Sequence, residues 1–351
     1  MPAVFDIQSL VRPHLLKLKP YSSARDEFTG EAEVFLDANE NAFGSAADGA
    51  YNRYPDPLQQ AVKAELAALK GLRPEQIFLG NGSDEAIDLL YRCFCEPGRD
   101  HALLMPPTYG MYQVSADVNR TDVVQVPLTP DFQIDAEEVV AALRPGTKLV
   151  FICSPNNPSG NCMDERGIEL VLRHAPGLVV VDEAYIDFAP ERSLVPFLSR
   201  WPNLVILQTF SKAWGMAGLR LGMAFAHPDL IAMLNKIKPP YNVNLLTQQL
   251  ALDALRHPER RAQMVADLLE QRTQLREMLA ALPRVQHIYP SDANFLLVRV
   301  DDANGLYQEL IRKGIIVRNR SSVLHCGNCL RITVGTPEEN AALAAAIKGS
   351  V

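Results

Sequence analysis

A lysine flanked by hydroxyl residues is the group in this chain best suited to covalent chemistry. Lys212 follows Ser211, Thr209 stands three residues before it, and Arg220 follows eight residues later. A lysine amine forms a Schiff base with a carbonyl, and it becomes nucleophilic when its surroundings lower its pKa. The hydroxyls and the guanidinium can bind phosphate oxygens. The grouping predicts a site for an aldehyde cofactor that carries a phosphate, although most lysines beside a serine are solvated surface residues.

A glycine-rich turn at 80–84 is a second candidate site. Gly80 and Gly82 let the backbone approach a ligand closely, and Ser83 and Asp84 follow them at the start of a predicted helix. The exposed N–H groups at a helix N-terminus favour an anion such as a phosphate. The same residues are equally typical of a tight turn in which Ser83 is the helix N-cap. Both interpretations remain open at this point.

A carboxylate follows the apolar run at 178–181. Asp182 begins the motif Asp-Glu-Ala-Tyr, which ends at Tyr185. At the carboxyl end of a buried strand, such a carboxylate could pair with a protonated ring nitrogen and keep a cofactor an electron sink. The alternative is an acidic residue that simply ends a strand.

Two further loops follow predicted strands and carry groups that suit an aromatic cofactor. The loop at 154–160 contains two prolines, and Asn157 offers an amide that can donate to a phenolate oxygen. Tyr109 follows Pro106 and Pro107 and offers an aromatic face for stacking on a heteroaromatic ring. A tyrosine that packs in the core is the alternative for Tyr109.

Short, continuous apolar runs predict the strands that would position these groups. Runs of this kind are typical of strands that are buried on both faces of a mostly parallel sheet. They occur at 76–79, 102–105, 123–126, 149–153, 178–181, 205–208 and 221–225. Ligands of open α/β sheets bind beyond the carboxyl ends of the strands, where the candidate groups lie. The sequence therefore predicts one site along this edge.

The pattern changes after about residue 240. A helical stretch at 245–282 is interrupted at His257-Pro258, because proline breaks or kinks a helix. Strands predicted at 286–289, 294–300, 315–318 and 330–334 alternate with helices near 303–313 and 337–347. The fold class is α/β, with a large domain built on a mostly parallel central sheet flanked by helices and a smaller α+β domain. We expect an N-terminal arm at 1–30 that packs with the small domain, a large domain at 31–245 and a small domain at 246–351.

Composition and charge exclude several classes of protein. The chain has 351 residues, 48% of them hydrophobic and 21% charged, as in an ordinary soluble globular protein. Its formal charge of −7 argues against a dedicated nucleic-acid binder. There is no apolar run of about 18 residues, so we expect no membrane span. The first residues also lack the pattern of a secretory signal.

The cysteines predict neither a metal site nor disulfides. Cys326 and Cys329 form a single CxxC pair, whereas a structural zinc site needs a second pair of ligands. Reduced thiols in a cytoplasmic protein are the better interpretation.

With these motifs in this order on successive strand ends, the chain resembles the fold-type I pyridoxal-phosphate-dependent aminotransferases. Among them it is most similar to the histidinol-phosphate aminotransferase branch, over nearly its whole length. The segments that carry the resemblance are 36–41, 53–56, 80–85, 107–112, 154–160, 182–185, 211–222 and 330–335. The motifs around the lysine, at 182–185 and at 154–160 are shared by many aminotransferases. Asn-Glu-Asn at 39–41, Arg-Tyr-Pro-Asp at 53–56 and Lys-Pro-Tyr at 19–21 are narrower and indicate the branch.

The resemblance implies a role for each residue around the cofactor. Lys212 would hold pyridoxal 5'-phosphate as a Schiff base and move the proton between the substrate α-carbon and the cofactor. Asp182 would pair with the pyridinium nitrogen. Tyr185 and Asn157 would bind the 3' oxygen, and Tyr109 would stack on the ring.

The resemblance also implies how the cofactor phosphate is bound. The expected ligands are the backbone N–H groups of Ser83 and Asp84 and the side chains of Thr209, Ser211 and Arg220. Tyr54 would reach the same phosphate from the other subunit, which makes a homodimer part of the expectation.

The implied reaction is transamination between L-histidinol phosphate and 2-oxoglutarate, which gives imidazole-acetol phosphate and L-glutamate in histidine biosynthesis. One site must then recognise a phosphate and a carboxylate in turn. Arg331 and Arg318 resemble the anion-binding arginines of the family, and Tyr21 and Asn39 resemble residues that line the same pocket. As alternatives, Arg318 could belong to a solvated strand end together with Arg320, and Tyr21 could anchor the arm.

Other functions share much of this pattern. A lyase such as a threonine-phosphate decarboxylase uses the same cofactor residues, and aromatic aminotransfer is a further alternative. The motifs at 39–41 and 53–56 favour the histidinol-phosphate branch. A non-catalytic, cofactor-sensing half of a regulator is disfavoured, because the first 30 residues are too few for a DNA-binding domain.

Overall fold

The computed structural model describes residues 6–22 and 33–349. Residues 1–5, where no secretory signal is predicted, and residues 23–30 of the predicted arm lie outside the described part of the chain. Among the helices that the structure describes, none is both long enough and apolar enough to span a membrane.

Seven strands form the larger sheet, in the order β1-β7-β6-β5-β4-β2-β3. Their bounds are β1 Ile77–Asn81, β2 His101–Leu104, β3 Asp122–Gln125, β4 Thr147–Cys153, β5 Leu178–Asp182, β6 Leu204–Thr209 and β7 Leu221–Phe225. Each apolar run predicted as a strand of this sheet overlaps one of them. Strands β2 to β6 pair in parallel, whereas β7 is antiparallel to both β1 and β6. The predicted, mostly parallel sheet is confirmed.

Helices cover both faces of this sheet. The helices are α3 Gln60–Lys70, α4 Ser83–Phe94, α5 Met111–Val118, α6 Ala136–Ala142, α7 Glu165–His174 and α8 Pro228–Ile237. Side chains of α3, α6 and α7 share one hydrophobic core with alternate residues of the central strands. Side chains of α4, α5 and α8 share a second core with the intervening residues of the same strands. Burial on both faces explains why these strands are continuous apolar runs.

One strand departs from the expected burial. Strand β3 lies at the edge of the sheet, beside β2 only, and its residues are exposed or half-buried. The prediction that every strand is buried on both faces is therefore wrong for β3. An edge strand has a neighbour on one side only, which leaves the apolar residues of the run partly open to solvent.

A smaller, antiparallel sheet is formed by the C-terminal part, in the order β10-β11-β9-β8. Its strands are β8 Val285–Ile288, β9 Phe295–Val300, β10 Arg318–Asn319 and β11 Cys329–Thr333. The helices of this part of the chain are α9 Leu245–Arg256, α10 Pro258–Ala280, α11 Ala303–Arg312 and α12 Pro337–Lys348. Of these, α9 packs Ala251 and Leu255 into the large-sheet core that contains α3. The helical stretch breaks at His257, and Pro258 is the first residue of α10, as predicted. Helices α10, α11 and α12 share a separate core with one face of this sheet.

The strand predicted at 315–318 is wrong apart from its last residue. Gly314 has a φ of +76°, and the backbone N–H of Ile315 donates to the carbonyl of Leu310 at 2.9 Å. These contacts close the C-terminus of α11, so the amide is not available for a strand ladder. Pairing begins only at Arg318.

The described part of the arm lies against the large sheet domain, whereas the sequence predicted packing with the small domain. Two one-turn helices, α1 Ile7–Leu10 and α2 Pro13–Leu16, bury apolar side chains in the core that α4 and α8 share. The amide of Arg12 donates to the carbonyl of Cys93 at 3.0 Å, and Lys236 Nζ donates to the carbonyl of Leu15 at 2.7 Å. Helices this short need such tertiary packing to persist.

Candidate active site

A pocket beyond the carboxyl ends of β4, β5 and β6 collects most of the predicted site residues. Because these strands are parallel neighbours, the loops that follow them meet at one edge of the sheet. The N-terminus of α4 closes the pocket. The predicted residues that line it are Ser83, Asp84, Tyr109, Asn157, Asp182, Tyr185, Thr209, Ser211, Lys212 and Arg220.

Lys212 lies in the turn that follows β6. The amide of Ser211 donates to Oγ1 of Thr209 at 3.0 Å, which holds the turn beside the strand end. Lys212 Nζ lies 5.4 Å from the ring centroid of Tyr185. Burial, and after it the positive charge of Arg331, lower the pKa of Lys212, although Asp182 acts in the opposite direction. A lowered pKa raises the fraction of neutral, nucleophilic amine.

Asp182 is the last residue of β5 and is 2% exposed. Its Oδ2 accepts a hydrogen bond of 2.6 Å from the hydroxyl of Tyr112, and its Oδ1 accepts one of 3.0 Å from the amide of Ala184. Burial raises the pKa of Asp182 to about 6, against the effect of these two hydrogen bonds. A buried carboxylate of this kind is stabilised by a cation, which a protonated ring nitrogen would supply.

Tyr112 is a site residue that the sequence did not identify. It lies on α5, is fully buried, and its ring stacks on Phe151 with centroids 4.7 Å apart. The sequence signal that could have identified Tyr112 is its position three residues after Tyr109, inside the motif at 107–112. Burial and the charge of Asp182 raise the pKa of Tyr112, so the phenol remains a hydrogen-bond donor.

The N-terminus of α4 faces the same pocket. The helix begins at Ser83 with Gly82 as its N-cap, so the alternative with Ser83 as the N-cap is wrong. Gly82 has a φ of +73°, and a Cβ there would lie 2.7 Å from Nη2 of Arg220. A Cβ at Gly222 would lie 2.1 Å from the amide nitrogen of Ser83. The absence of side chains at both positions lets this helix end and β7 approach each other.

Arg220 places a fixed positive charge beside this helix end. Its Nη2 lies 3.5 Å from Oδ2 of Asp84, and its Nη1 lies 3.4 Å from Oγ of Ser211. Both contacts are long, and the side chain is about half exposed. Together with the first N–H groups of α4, these groups form a cradle that is suited to a phosphate.

Tyr109 and Asn157 lie on the walls of the pocket. The hydroxyl of Tyr109 donates to Oδ1 of Asp84 at 3.1 Å, while its ring meets Tyr112 edge-on at 5.5 Å. Tyr109 thus lines the pocket with part of its side chain and packs against the core with the rest. The Oδ1 of Asn157 accepts a hydrogen bond from Nη1 of Arg331. Among the described residues the amide nitrogen of Asn157 has no acceptor, so it can donate into the pocket.

Arg331 connects the smaller sheet with the pocket. It lies on β11, and its guanidinium is 5.3 Å from the ring centroid of Phe295. Burial lowers the pKa of Arg331, with further lowering by nearby arginines. Arg318 on β10 pairs directly opposite Arg331 and is exposed, so the structure brings both predicted arginines together on one hairpin.

Three predicted residues lie away from this pocket within one chain. Tyr54 stacks on Tyr241 with centroids 4.5 Å apart and lines a separate, open cavity together with Asn39. Tyr21 is 74% exposed and borders a different groove, beside the described part of the arm. So large an exposure does not support the alternative that Tyr21 anchors the arm.

Comparisons with known proteins agree with this arrangement. The family described as aminotransferase class I and II matches residues 24–347. A histidinol-phosphate aminotransferase of Cytophaga hutchinsonii is 54% identical over 98% of this chain and 99% of its own length. One of Parabacteroides distasonis is 54% identical over 98% of both chains. The solved histidinol-phosphate aminotransferase of Sinorhizobium meliloti in complex with pyridoxal-5'-phosphate has a TM-score of 0.79 and 26% identity, covering 89% of this chain and 88% of that one. The chain belongs to the aminotransferase class I and II family.

Proposed function

We propose that this aminotransferase uses pyridoxal 5'-phosphate to transfer the amino group of L-histidinol phosphate to 2-oxoglutarate, in histidine biosynthesis. The products are imidazole-acetol phosphate and L-glutamate. The observation that supports this most strongly is the pocket itself, where a lysine of lowered pKa, a buried carboxylate and an arginine from the second sheet converge. The 54% identical relatives that bear the name of this activity support the choice of substrate.

The pocket suits the proposed cofactor. When bound, pyridoxal phosphate supplies a carbonyl for covalent attachment and a ring that accepts electrons. Lys212 would supply the amine that attaches the cofactor, and it would then move the proton at the substrate α-carbon. Asp182 would hold the ring nitrogen in its protonated form, because a carboxylate that is only 2% exposed is stabilised by a neighbouring positive charge.

The remaining residues of the pocket would orient the cofactor. Tyr109 would stack on the ring, and Tyr185 and Asn157 would bind its 3' oxygen. The phosphate would lie in the cradle at the N-terminus of α4. Its ligands would be the amides of Ser83 and Asp84 and the side chains of Thr209, Ser211 and Arg220.

Arg331 and Arg318 would bind the anionic end of each substrate in turn. Arg331 reaches the pocket wall through Asn157, and its planar guanidinium can bind a carboxylate or a phosphate through two parallel hydrogen bonds. Arg318 stands directly opposite on β10.

A homodimer is part of the proposal. Tyr54, Asn39 and Tyr21 lie outside the pocket of their own chain, and we infer that they complete the pocket of a second copy. Apolar side chains around them support this, since Leu36 is 87% exposed and Phe43 is fully exposed in the single chain. Burying such a surface in a symmetric interface would be favourable.

The proposal also includes the division of the chain into domains and the cellular compartment of the enzyme. We keep the division into an arm at 1–30, a large domain at 31–245 and a small domain at 246–351, supported by the separate core of α10, α11 and α12. All six cysteines are unpaired and buried, which is typical of a reducing compartment and supports a cytoplasmic enzyme.

A spectral assay of the two half-reactions tests the proposal. Histidinol phosphate alone should convert the purified holoenzyme to its pyridoxamine form, and 2-oxoglutarate should restore the original spectrum. Release of carbon dioxide from threonine phosphate would instead identify a decarboxylase. Conversion by aromatic amino acids, without conversion by histidinol phosphate, would identify an aromatic aminotransferase. No turnover with any amine would favour a sensing protein.

A further inference from the structure

A third arginine lies on the same face of the hairpin as Arg318 and Arg331. The amide of Arg320 donates to the carbonyl of Cys329 at 2.9 Å, which continues the β10–β11 register by one residue. Side chains alternate along an extended strand, so Arg318 and Arg320 project from the same side. Leu297 pairs opposite Arg331 and packs in the large-domain core, so this side faces the large domain.

The backbone around Arg320 is held by turns that end at two buried cysteines. The amide of Val323 donates to the carbonyl of Arg320 at 2.8 Å, and the amide of Cys326 donates to that of Val323 at 3.0 Å. Cys326 and Cys329 are both fully buried in the large-domain core. The CxxC pair therefore fixes the loop that carries Arg320, which gives this motif a positioning role.

The three arginines concentrate positive charge without an acidic partner. Among residues 6–22 and 33–349, no carboxylate forms an ion pair with Arg318, Arg320 or Arg331. Burial and the charge of Arg318 lower the pKa of Arg320. Arg331 contacts the pocket wall through Asn157, and the charges of Arg331 and Arg320 both act to lower the pKa of Tyr185, which lines the same pocket. Like charges held this close are stabilised when an anion lies between them.

Arg320 also has an unused hydrogen-bond donor. Its Nε is buried and has no acceptor among the described residues. A buried donor without a partner is costly, and that cost is recovered when a ligand oxygen arrives. Arg331, in contrast, already uses one N–H on Asn157.

We propose that Arg320 is a third cation of the substrate-anion site and makes that site selective for the phosphate monoester of the amino donor. A phosphate monoester carries a charge of about −1.5 to −2 near neutral pH and offers three acceptor oxygens. Each carboxylate of glutamate, in contrast, carries a single charge and two oxygens. Arg318 and Arg331 suffice for the carboxylate, whereas the third oxygen and the second charge of the phosphate engage Arg320. This inference rests on the proposed function.

The test compares the two half-reactions of the holoenzyme in single turnovers. Arg320→Gln removes the charge and leaves a shorter side chain that can still form hydrogen bonds. The matched control is Arg312→Gln, an exposed arginine at the end of α11. We expect Arg320→Gln to lower kcat/KM for histidinol phosphate roughly 10- to 100-fold. The kcat/KM for glutamate should change by less than about fivefold, and Arg312→Gln should have the same kcat/KM values as the wild type. Arg320→Lys should restore part of the loss.

Inorganic phosphate provides a probe that does not depend on the identity of the donor. It should inhibit the glutamate half-reaction of the wild type competitively, and Arg320→Gln should weaken this inhibition at least about tenfold. Equal losses in both half-reactions, or unchanged values for histidinol phosphate and inorganic phosphate, would overturn the assignment. If the wild-type enzyme does not react with histidinol phosphate, the proposed function is refuted. Weaker inhibition of the Arg320→Gln variant by inorganic phosphate would, even then, support the assignment of Arg320 to an anion site.

Discussion

The hydroxyl of Tyr112 donates a hydrogen bond of 2.6 Å to Oδ2 of Asp182, and both side chains are buried. One residue lies on α5 and the other ends β5. The bond, together with the amide of Ala184 on the other oxygen, fixes the plane of the carboxylate. We therefore expect Tyr112 to be a positioning residue that acts through Asp182.

Tyr112→Phe should shift the pH dependence of the enzyme. The hydrogen bond stabilises the ionised carboxylate and so lowers the pKa of Asp182. Removing it raises that pKa, so the acid limb of the kcat/KM profile should move to higher pH by roughly one unit. The loss of activity should be largest at low pH and should shrink as the pH rises. An unshifted acid limb with a uniform loss would show that Tyr112 serves only packing.

Cofactor affinity should weaken as the pH falls through about 6, the pKa to which burial raises Asp182. Above that pH the carboxylate is charged and can pair with a protonated ring nitrogen, whereas below it the neutral acid cannot. Titration of the apoenzyme with pyridoxal phosphate, followed by absorbance, measures the effect. Asp182→Asn removes the titrating group and provides the control. If the wild type and Asp182→Asn show the same pH dependence of cofactor affinity, Asp182 is not the group that titrates.

Arg331→Ala should impair both half-reactions, because in the proposed site both substrates would present an anion to this arginine. Leaving a buried anion unpaired costs roughly 2–5 kcal/mol in transition-state binding. Arg331→Lys should recover only part of this, since an ammonium lacks the planar pair of donors. The measured quantity is kcat/KM for each substrate. Unchanged values for both would remove Arg331 from the site.

The proposed homodimer predicts complementation between two defective variants. Lys212→Ala should abolish turnover, and Tyr54→Ala should weaken binding of the cofactor phosphate in the other subunit. A mixed dimer contains one site with both an intact Lys212 and an intact Tyr54. After unfolding and refolding together, random pairing leaves roughly a quarter of the sites intact, so activity should exceed the sum of the separate variants. If the activity of the mixture equals the sum of the activities of the two separate variants, Tyr54 does not act across an interface.

Local patterns were enough to predict most of the elements. The apolar runs of the large sheet, the helix break at Pro258 and the last two helices follow from periodicity and from proline geometry, which depend on neighbouring residues only. The strand predicted at 315–318 is wrong apart from its last residue, because the amide of Ile315 closes α11. The exposure of β3 depends on its place at the sheet edge, which no local pattern encodes.

The residues of the candidate site also fall into those that local sequence patterns identify and those that only the tertiary structure identifies. The sequence alone determined several candidates and indicated the family, because the residue types in their motifs are typical of cofactor binding. These candidates are Lys212, Asp182 and the glycine-rich turn. Only the tertiary structure decided that Tyr112 donates to Asp182, that Arg331 reaches Asn157, and that the described arm packs on the large domain. These contacts join residues far apart in the chain, where pairing depends on burial, strand order and packing rather than on spacing.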